Sequence, residues 1–111
     1  MNHFQWKTRR TRQLLGEQVE ESPETAAFRL EMRYSRAFAQ ALYDRRTALG
    51  LSEAEVARRA DMTEDEIESI EGSGVVPTLP LLQRLAKALD ADFDIHATDT
   101  ETTVRFQAPA A

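Results

Sequence analysis

Residues 51–72 read LSEAEVARRADMTEDEIESIEG, and this stretch decides the fold. Twice within it a serine or threonine is followed three positions later by glutamate, which is the spacing of a capping box at a helix start. Apolar and small side chains follow each start at helical spacing, and a glycine closes the stretch. The stretch therefore predicts two short helices, 52–60 and 63–71, with a tight turn between them. The two predicted capping boxes pair Ser52 with Glu55 and Thr63 with Glu66.

Longer amphipathic helices are predicted on both sides of this pair. Ser22 followed by Pro23 is a helix start, and the chain then runs to Gly50 without a helix breaker. This segment is predicted to be one long helix or two helices that bend near Ser35. Thr78 is predicted to cap a further helix after the short pair. The expected core residues are Leu42, Leu49, Leu51, Val56, Ile67, Ile70, Leu79, Leu82, Leu85 and Leu89.

The hydrophobic period changes to two near the C-terminal end. Phe93 and Ile95 alternate with polar residues, and Val104 and Phe106 do the same beyond a short turn. This pattern predicts a β-hairpin over residues 93–107. An isolated hairpin is marginal in water, so these four apolar residues are expected to bury against the helices or against a second subunit. We expect the hairpin to be a dimerisation element of a two-fold homodimer.

Length and composition indicate one small globular domain. The chain has 111 residues, of which 41% are hydrophobic and 30% charged. The absence of cysteine excludes disulfides and thiol chemistry and fits a reducing cytoplasm. No apolar run reaches membrane-spanning length, and the N-terminus does not resemble a secretory signal. The predicted segments are a basic and polar arm (1–21), a helical domain (22–92), the hairpin and a loose tail (108–111).

The sequence offers no catalytic machinery. Its two histidines, His3 and His96, are isolated and give no spacing typical of metal ligands. The acidic residues lack the pattern of a calcium loop, and no serine or threonine stands beside a positioned base. We therefore expect neither an enzyme nor a bound metal or cofactor.

Charge is distributed unevenly along the chain. The net charge is −5, which argues against nucleic-acid binding through bulk electrostatics. Residues 1–36 carry seven bases and five acids, whereas residues 37–96 carry six bases and twelve acids. Between Asp61 and Glu71 the chain has six acids and no base. The second short helix is therefore predicted to be strongly acidic.

Two short helices joined by a tight turn and flanked by longer helices form the helix-turn-helix arrangement. Residues 36–92 resemble the Xre/Cro-repressor-like helix-turn-helix family. The resemblance implies a mainly α, lambda-repressor-like domain that binds a double-stranded DNA operator. It is carried by small residues that allow close helix packing and by apolar, turn and cap residues at the family's spacing: Ala57, Ala60, Ile67, Ile70, Glu71–Gly72 and Pro77–Leu79.

A narrower resemblance involves the two ends of this domain. The long preceding helix and the alternating segment DFDIHAT are similar to HigA-type antitoxins, and the β segment is also similar to HipB-type regulators. This resemblance implies a dimeric autorepressor that also neutralises a cognate toxin.

The family resemblance also implies which residues contact DNA. The first part of the second short helix would read bases, and a residue early in the first short helix, here Glu53, would contact a phosphate. The implied base-reading positions are Thr63, Glu64, Asp65, Glu66, Glu68 and Ser69. The chain departs from the family because carboxylates occupy most of these positions and Asp61 replaces the usual turn glycine. A carboxylate can accept a hydrogen bond from cytosine, but phosphates repel it.

Two hypotheses of different classes follow from this departure. In the first, a sequence-specific dimeric regulator uses bases outside the acidic helix to hold DNA. The candidate bases are Arg45, Arg46, Arg58, Arg59 and those of the N-terminal arm. In the second, the fold serves mainly as a protein-interaction module whose acidic face binds a basic partner such as a toxin. Bases located near the acidic face would favour the first hypothesis, and bases used elsewhere would favour the second.

Overall fold

The structure, a computed structural model, describes residues 21–109. Most of the predicted basic arm and the last two residues of the predicted tail lie outside this range. The described elements are four helices followed by a two-stranded antiparallel sheet. They are α1 (Pro23–Ala48), α2 (Glu53–Ala60), α3 (Glu64–Glu71), α4 (Leu79–Ala88), β1 (Asp92–Ala97) and β2 (Thr102–Gln107).

Helix α1 is one continuous helix and does not bend into two. The Ser22 hydroxyl accepts a hydrogen bond from the Thr25 amide at 3.1 Å, and Pro23 occupies the first turn. At the other end Gly50 adopts a φ of +69°, a conformation that glycine reaches without strain.

Within residues 21–109, no helix combines the length and the apolar character needed to cross a membrane.

The two short helices are found at the predicted places, and each begins at its predicted cap residue. Thr63 and Glu66 form the complete capping box of α3, with both reciprocal bonds at 3.1 Å. Only half of the other predicted box forms. The Ser52 hydroxyl accepts from the Glu55 amide, but the Glu55 carboxylate binds arginines instead of returning to the cap.

The hairpin forms at the predicted place and packs on the helices of the same chain. Phe93 pairs with Phe106 and Ile95 with Val104, so these four side chains lie on one face of the sheet. Strand β2 packs mainly against α1, and β1 contacts α4. The ring centroids of Phe38 in α1 and Phe106 are 6.4 Å apart. The hairpin therefore completes the core of the helical domain.

One hydrophobic core joins all six elements. Among the predicted core residues, Leu49 and Leu79 are wrong, because their side chains are 39% and 61% exposed. Leu49 follows the last residue of α1 and Leu79 is the first residue of α4, and both side chains point away from the core. The largest fully buried side chains are Phe38, Leu42, Val56, Ile67, Ile70, Leu82, Leu85 and Leu89.

Candidate nucleic-acid interface

The turn between α2 and α3 depends on a left-handed residue and on an arginine from another helix. Asp61 has φ 55° and ψ 49°, which a residue with a Cβ adopts at a cost. Arg84 of α4 donates to the carbonyl oxygens of Ala60 and Asp61, both at 2.6 Å. These bonds satisfy carbonyl groups at the end of α2 and hold the angle between α2 and α3.

A part-buried ion pair fixes the far end of α3. Arg46 near the end of α1 donates to both carboxylate oxygens of Glu71, at 2.9 and 2.8 Å, and also to the Leu51 carbonyl at 3.0 Å. The two side chains are only 15% and 10% exposed. The hydrogen bond and charge of Glu71 raise the pKa of Arg46. The pair is bidentate, so it sets the orientation of α3 as well as its position.

Arg45, the neighbouring candidate base, is also used inside the fold. Its guanidinium donates to the carbonyl oxygens of Leu89 and Asp90, at 3.0 to 3.3 Å. These carbonyls lie just beyond the end of α4, where a helix leaves acceptors without internal partners. Arg45 therefore closes α4, and it joins α1 to the start of the hairpin.

The predicted base-reading residues lie together on one helix, but they fall into two groups. Thr63 and Glu66 bind each other in the cap and support α3. The other four residues are exposed, and their side chains form no hydrogen bond or ion pair with residues 21–109. These four, named the reading face below, are Glu64, Asp65, Glu68 and Ser69. The reading face is therefore available to a ligand, and three of its four residues are acidic.

Arg58 and Arg59 remain on the surface at the end of α2. Both donate to the Glu55 carboxylate, Arg58 at 2.6 and 3.0 Å and Arg59 at 3.2 Å. These bonds lower the pKa of Glu55 to about 2, and the bond with Glu55 raises the pKa of Arg58. The Arg58 side chain is 72% exposed, so its ion pair is weak and can exchange for another anion.

Glu53, the predicted phosphate contact, stands half-buried beside other acids. The pKa of Glu53 is raised most by partial burial and next by the negative charge of Glu71. The positive charge of Arg46 acts in the opposite direction. Glu68 and Glu64 of the reading face raise the pKa further. Glu53 therefore lies close enough to the acids of α3 for their charges to act on it.

Replacing Glu53 with glutamine should stabilise the fold. A raised pKa means that the folded state disfavours the ionised carboxylate of Glu53. The stability that protonated Glu53 contributes is therefore fully present below the pKa of the unfolded chain. It is lost as pH rises through the higher pKa of the folded state. Glutamine removes this loss. Thermal melts should show that Glu53→Gln raises the melting temperature at pH 7 and raises it less at pH 4. An unchanged melting temperature at pH 7, equal to that of the control Glu101→Gln in the hairpin turn, would contradict this prediction.

The structure separates the predicted hairpin contacts into two pairs. Val104 and Phe106 are 8% and 6% exposed in the core of their own chain, which leaves them little surface for a second subunit. Phe93 is half-buried, and Ile95 is 44% exposed.

The sequence did not predict the role of Arg84 or the pairing of Arg46 with Glu71, because each joins segments that are more than twenty residues apart.

Comparisons with known proteins agree with this geometry. A family model described as a helix-turn-helix domain matches residues 37–97, which is more than half of the chain. No curated protein matches. The match extends from the second half of α1 to the end of β1, so it includes the turn, the reading face and the first strand of the hairpin.

Two solved structures are similar to this chain. A transcriptional regulator of the HTH_3 family from Vibrio cholerae aligns with a TM-score of 0.54 at 24% identity, over 56% of this chain and 35% of its own. This chain therefore spans about a third of that protein. The restriction-modification controller protein C.AhdI from Aeromonas hydrophila aligns with a TM-score of 0.48 at 30% identity, over 50% of this chain and 85% of its own. The first likeness supports the lambda-repressor-like fold, and on the family match the chain belongs to the helix-turn-helix domain family.

Proposed function

We propose that this chain is a DNA-binding transcriptional regulator of the Xre type. The observation that carries the proposal is the reading face: it stands exposed on a helix whose orientation is fixed by Arg84 at one end and by Arg46 at the other. A recognition helix held in this way can enter a major groove without rearrangement. Arg58 and Arg59, at the end of α2 next to the turn, are the surface bases nearest to it along the chain and would contact phosphates.

The proposed regulator acts as a homodimer, because two-fold symmetry matches a palindromic operator. The half-sites would lie about 34–36 Å apart, one turn of the double helix. Ile95 and Phe93 retain apolar surface on the hairpin and would contribute to the subunit contact. The resemblance to HigA-type and HipB-type proteins supports an operator in the protein's own promoter and a toxin as a further partner.

Binding to DNA from upstream of its own gene tests this proposal. We expect a shift at about 50 mM salt that is largely lost at about 200 mM salt. Arg58→Ala should weaken binding about tenfold and reduce the salt slope by about one, because it removes one phosphate contact. Arg105→Ala, an exposed arginine on the outer face of β2, is the matched control and should change neither value. Absence of a shift at 50 mM salt would refute DNA binding.

A second candidate function, binding of a basic protein, is supported by the contacts that the candidate arginines form within the chain. Arg45 and Arg46 serve the fold, and Arg58 and Arg59 share one glutamate. The acidic reading face would then bind a basic protein, such as a toxin encoded beside this gene. Charge complementarity of this kind mainly accelerates association and excludes wrong partners.

One variant distinguishes the two functions by the sign of its effect. Neutralising the reading face with Glu64→Gln, Asp65→Asn and Glu68→Gln removes three negative charges and preserves the shapes of the side chains. If the face enters DNA, affinity for the promoter fragment should rise several-fold, because phosphate repulsion falls. If the face binds a basic protein, calorimetry with the product of the adjacent gene should show weaker binding that is less sensitive to salt.

A further inference from the structure

The N-terminal half of α1 extends beyond the core of its own domain. Residues 23–31 are exposed and residues 32–34 are half-buried, and the first buried side chain is Ser35 at 2% exposure. At 1.5 Å per residue this projecting segment (residues 23–34) is about 18 Å long. Within this segment Arg33 donates to the Asp99 carbonyl of the hairpin turn at 3.2 Å, but the large apolar side chains of Phe28 and Leu30 stay exposed. The projecting segment therefore keeps exposed apolar surface.

A seam of one threonine and two apolar side chains follows one side of the projecting segment. Thr25, Phe28 and Met32 are separated by three and then four residues, which is the spacing of the a, d and a positions of a coiled coil. Phe28 is 63% exposed, the largest value among the exposed large apolar side chains of residues 21–109. The seam lines an open groove of about 850 Å³ beside Thr102 of β2.

The charges beside the seam are separated by sign. Glu24 and Glu31 lie seven residues apart on one side of it, at g positions, while Arg29 and Arg36 lie seven residues apart on the other side, at e positions. Glu24, Glu31 and Arg36 take part in none of the ion pairs formed among residues 21–109. Arg29 pairs with Glu21, but its side chain is 65% exposed, so this pair can exchange.

This arrangement distinguishes the two ways in which a second copy could pack along the seam. In a parallel, in-register pair, each g residue meets the e residue five positions later in the other helix. Glu24 would then face Arg29 of the second copy, and Glu31 would face Arg36 of the second copy. In an antiparallel pair, e residues face e residues and g residues face g residues, which places arginine against arginine and glutamate against glutamate.

We propose that the projecting segment of α1 pairs in parallel with the same segment of a second copy of this chain. The proposal deepens the proposed function, because it names the main contact of the dimer. The two-fold axis runs along α1, with Phe28 of each copy packed at the centre. The seam ends where Ser35 enters the core of its own domain, so the pairing covers about one and a half heptads and acts together with the apolar surface of the hairpin.

Sedimentation equilibrium of the full chain without DNA tests the pairing. Phe28→Asp should raise the dimer dissociation constant roughly 100-fold, because two phenylalanine side chains lose their burial. Leu30→Asp is the matched control: Leu30 is also exposed, at 41%, but it points away from the seam, so the dimer should persist. Circular dichroism melts confirm that both variants are folded. A wild-type chain that is monomeric at about 100 µM, or a Phe28→Asp variant with unchanged mass, overturns the proposal.

Swapping the charges of Glu31 and Arg36 tests whether the two helices pair in parallel. Glu31→Arg and Arg36→Glu should each weaken the dimer about tenfold, because each change acts twice across the two-fold axis. The double variant should restore wild-type affinity to within about threefold, since it only exchanges the partners of each pair. A double variant as weak as the sum of the single variants overturns the parallel pairing.

The absence of cysteine from the chain allows a direct test of register. A single cysteine introduced as Thr25→Cys would lie opposite its twin in a parallel pair, where small adjustments of the helices allow a disulfide to form. It should oxidise to a covalent dimer much faster than Leu30→Cys, which lies off the seam in a groove beside the hairpin turn of its own chain. Equal rates at the two positions overturn the register.

A different outcome would assign the groove to a segment of the same chain. This is the case if the wild type is monomeric and Phe28→Asp lowers its melting temperature, and it overturns the pairing.

Failure of this pairing can be distinguished from failure of the proposed function. A dimer that cross-links through Thr25→Cys but does not shift promoter DNA supports the pairing and refutes DNA binding. A dimer that survives Phe28→Asp and dissociates with Ile95→Asp overturns the pairing and keeps the hairpin as the subunit contact.

Discussion

Replacing Arg46 with alanine is expected to lower the free energy of unfolding by about 3 kcal/mol. The change removes the bidentate partner of the Glu71 carboxylate, which is 10% exposed in the intact pair, and it also removes a donor from the Leu51 carbonyl. A carboxylate that loses its partner and stays partly desolvated is costly. Urea denaturation followed by circular dichroism measures the loss.

Two further variants show whether burial is the cause. Arg58→Ala removes an arginine–glutamate pair of similar geometry from an exposed site, and its denaturation midpoint should stay close to that of the wild type. Arg46→Met combined with Glu71→Leu removes both charges, and it should recover much of the stability lost in Arg46→Ala. If Arg46→Ala proves as harmless as Arg58→Ala, the pair does not hold α3.

Replacing Phe106 with alanine is expected to lower the free energy of unfolding by about 3–4 kcal/mol. Phe106 is 6% exposed and packs at a tilt of 50° on Phe38, which is completely buried at the centre of α1. Truncation leaves a cavity between the hairpin and α1 that the surrounding helices cannot fill. The measured loss would show that the hairpin is part of the folding unit and not an appendage.

Ile95→Ala provides the control for this prediction. Ile95 lies on the same face of the hairpin but is 44% exposed, so its truncation should lower the free energy of unfolding by less than about 1 kcal/mol. Both variants should keep the same denaturant m-value if the domain unfolds as one unit. A loss at Phe106 no larger than that at Ile95 would mean that the hairpin is not required for the stability of the core.

Sequence signals that act over a few residues predicted the local structure well. The cap residues Ser22, Ser52, Thr63 and Thr78 all stand at helix starts, because a hydroxyl that accepts from an amide three residues later is a purely local interaction. The hydrophobic period changes from 3.6 residues in the helices to two residues in the hairpin. This signal is also local, so it located the hairpin correctly. Periodicity alone did not show that Leu49 and Leu79 lie past the edge of the core.

The candidate interface was only partly predictable, because its arginines are assigned by tertiary structure. Adjacent arginines in the sequence, such as Arg45 and Arg46, look alike, yet Arg45 closes α4 and Arg46 forms a part-buried ion pair with Glu71. Glu55 was predicted to complete a cap and instead binds Arg58 and Arg59, because two charged partners outweigh one backbone amide. Such choices depend on which side chains the fold brings together.

The acids in the first turn of α3 place stability and ligand affinity in competition. The positive end of the helix dipole is the feature that attracts a phosphate to a recognition helix, and here Glu64, Asp65 and Glu66 already neutralise it within the chain. A substitution that frees this positive end for DNA would also remove about 0.3–1 kcal/mol of helix stabilisation for each acid. Tighter operator binding would therefore be accompanied by a less stable recognition helix, and the present sequence lies on the stable side of this balance.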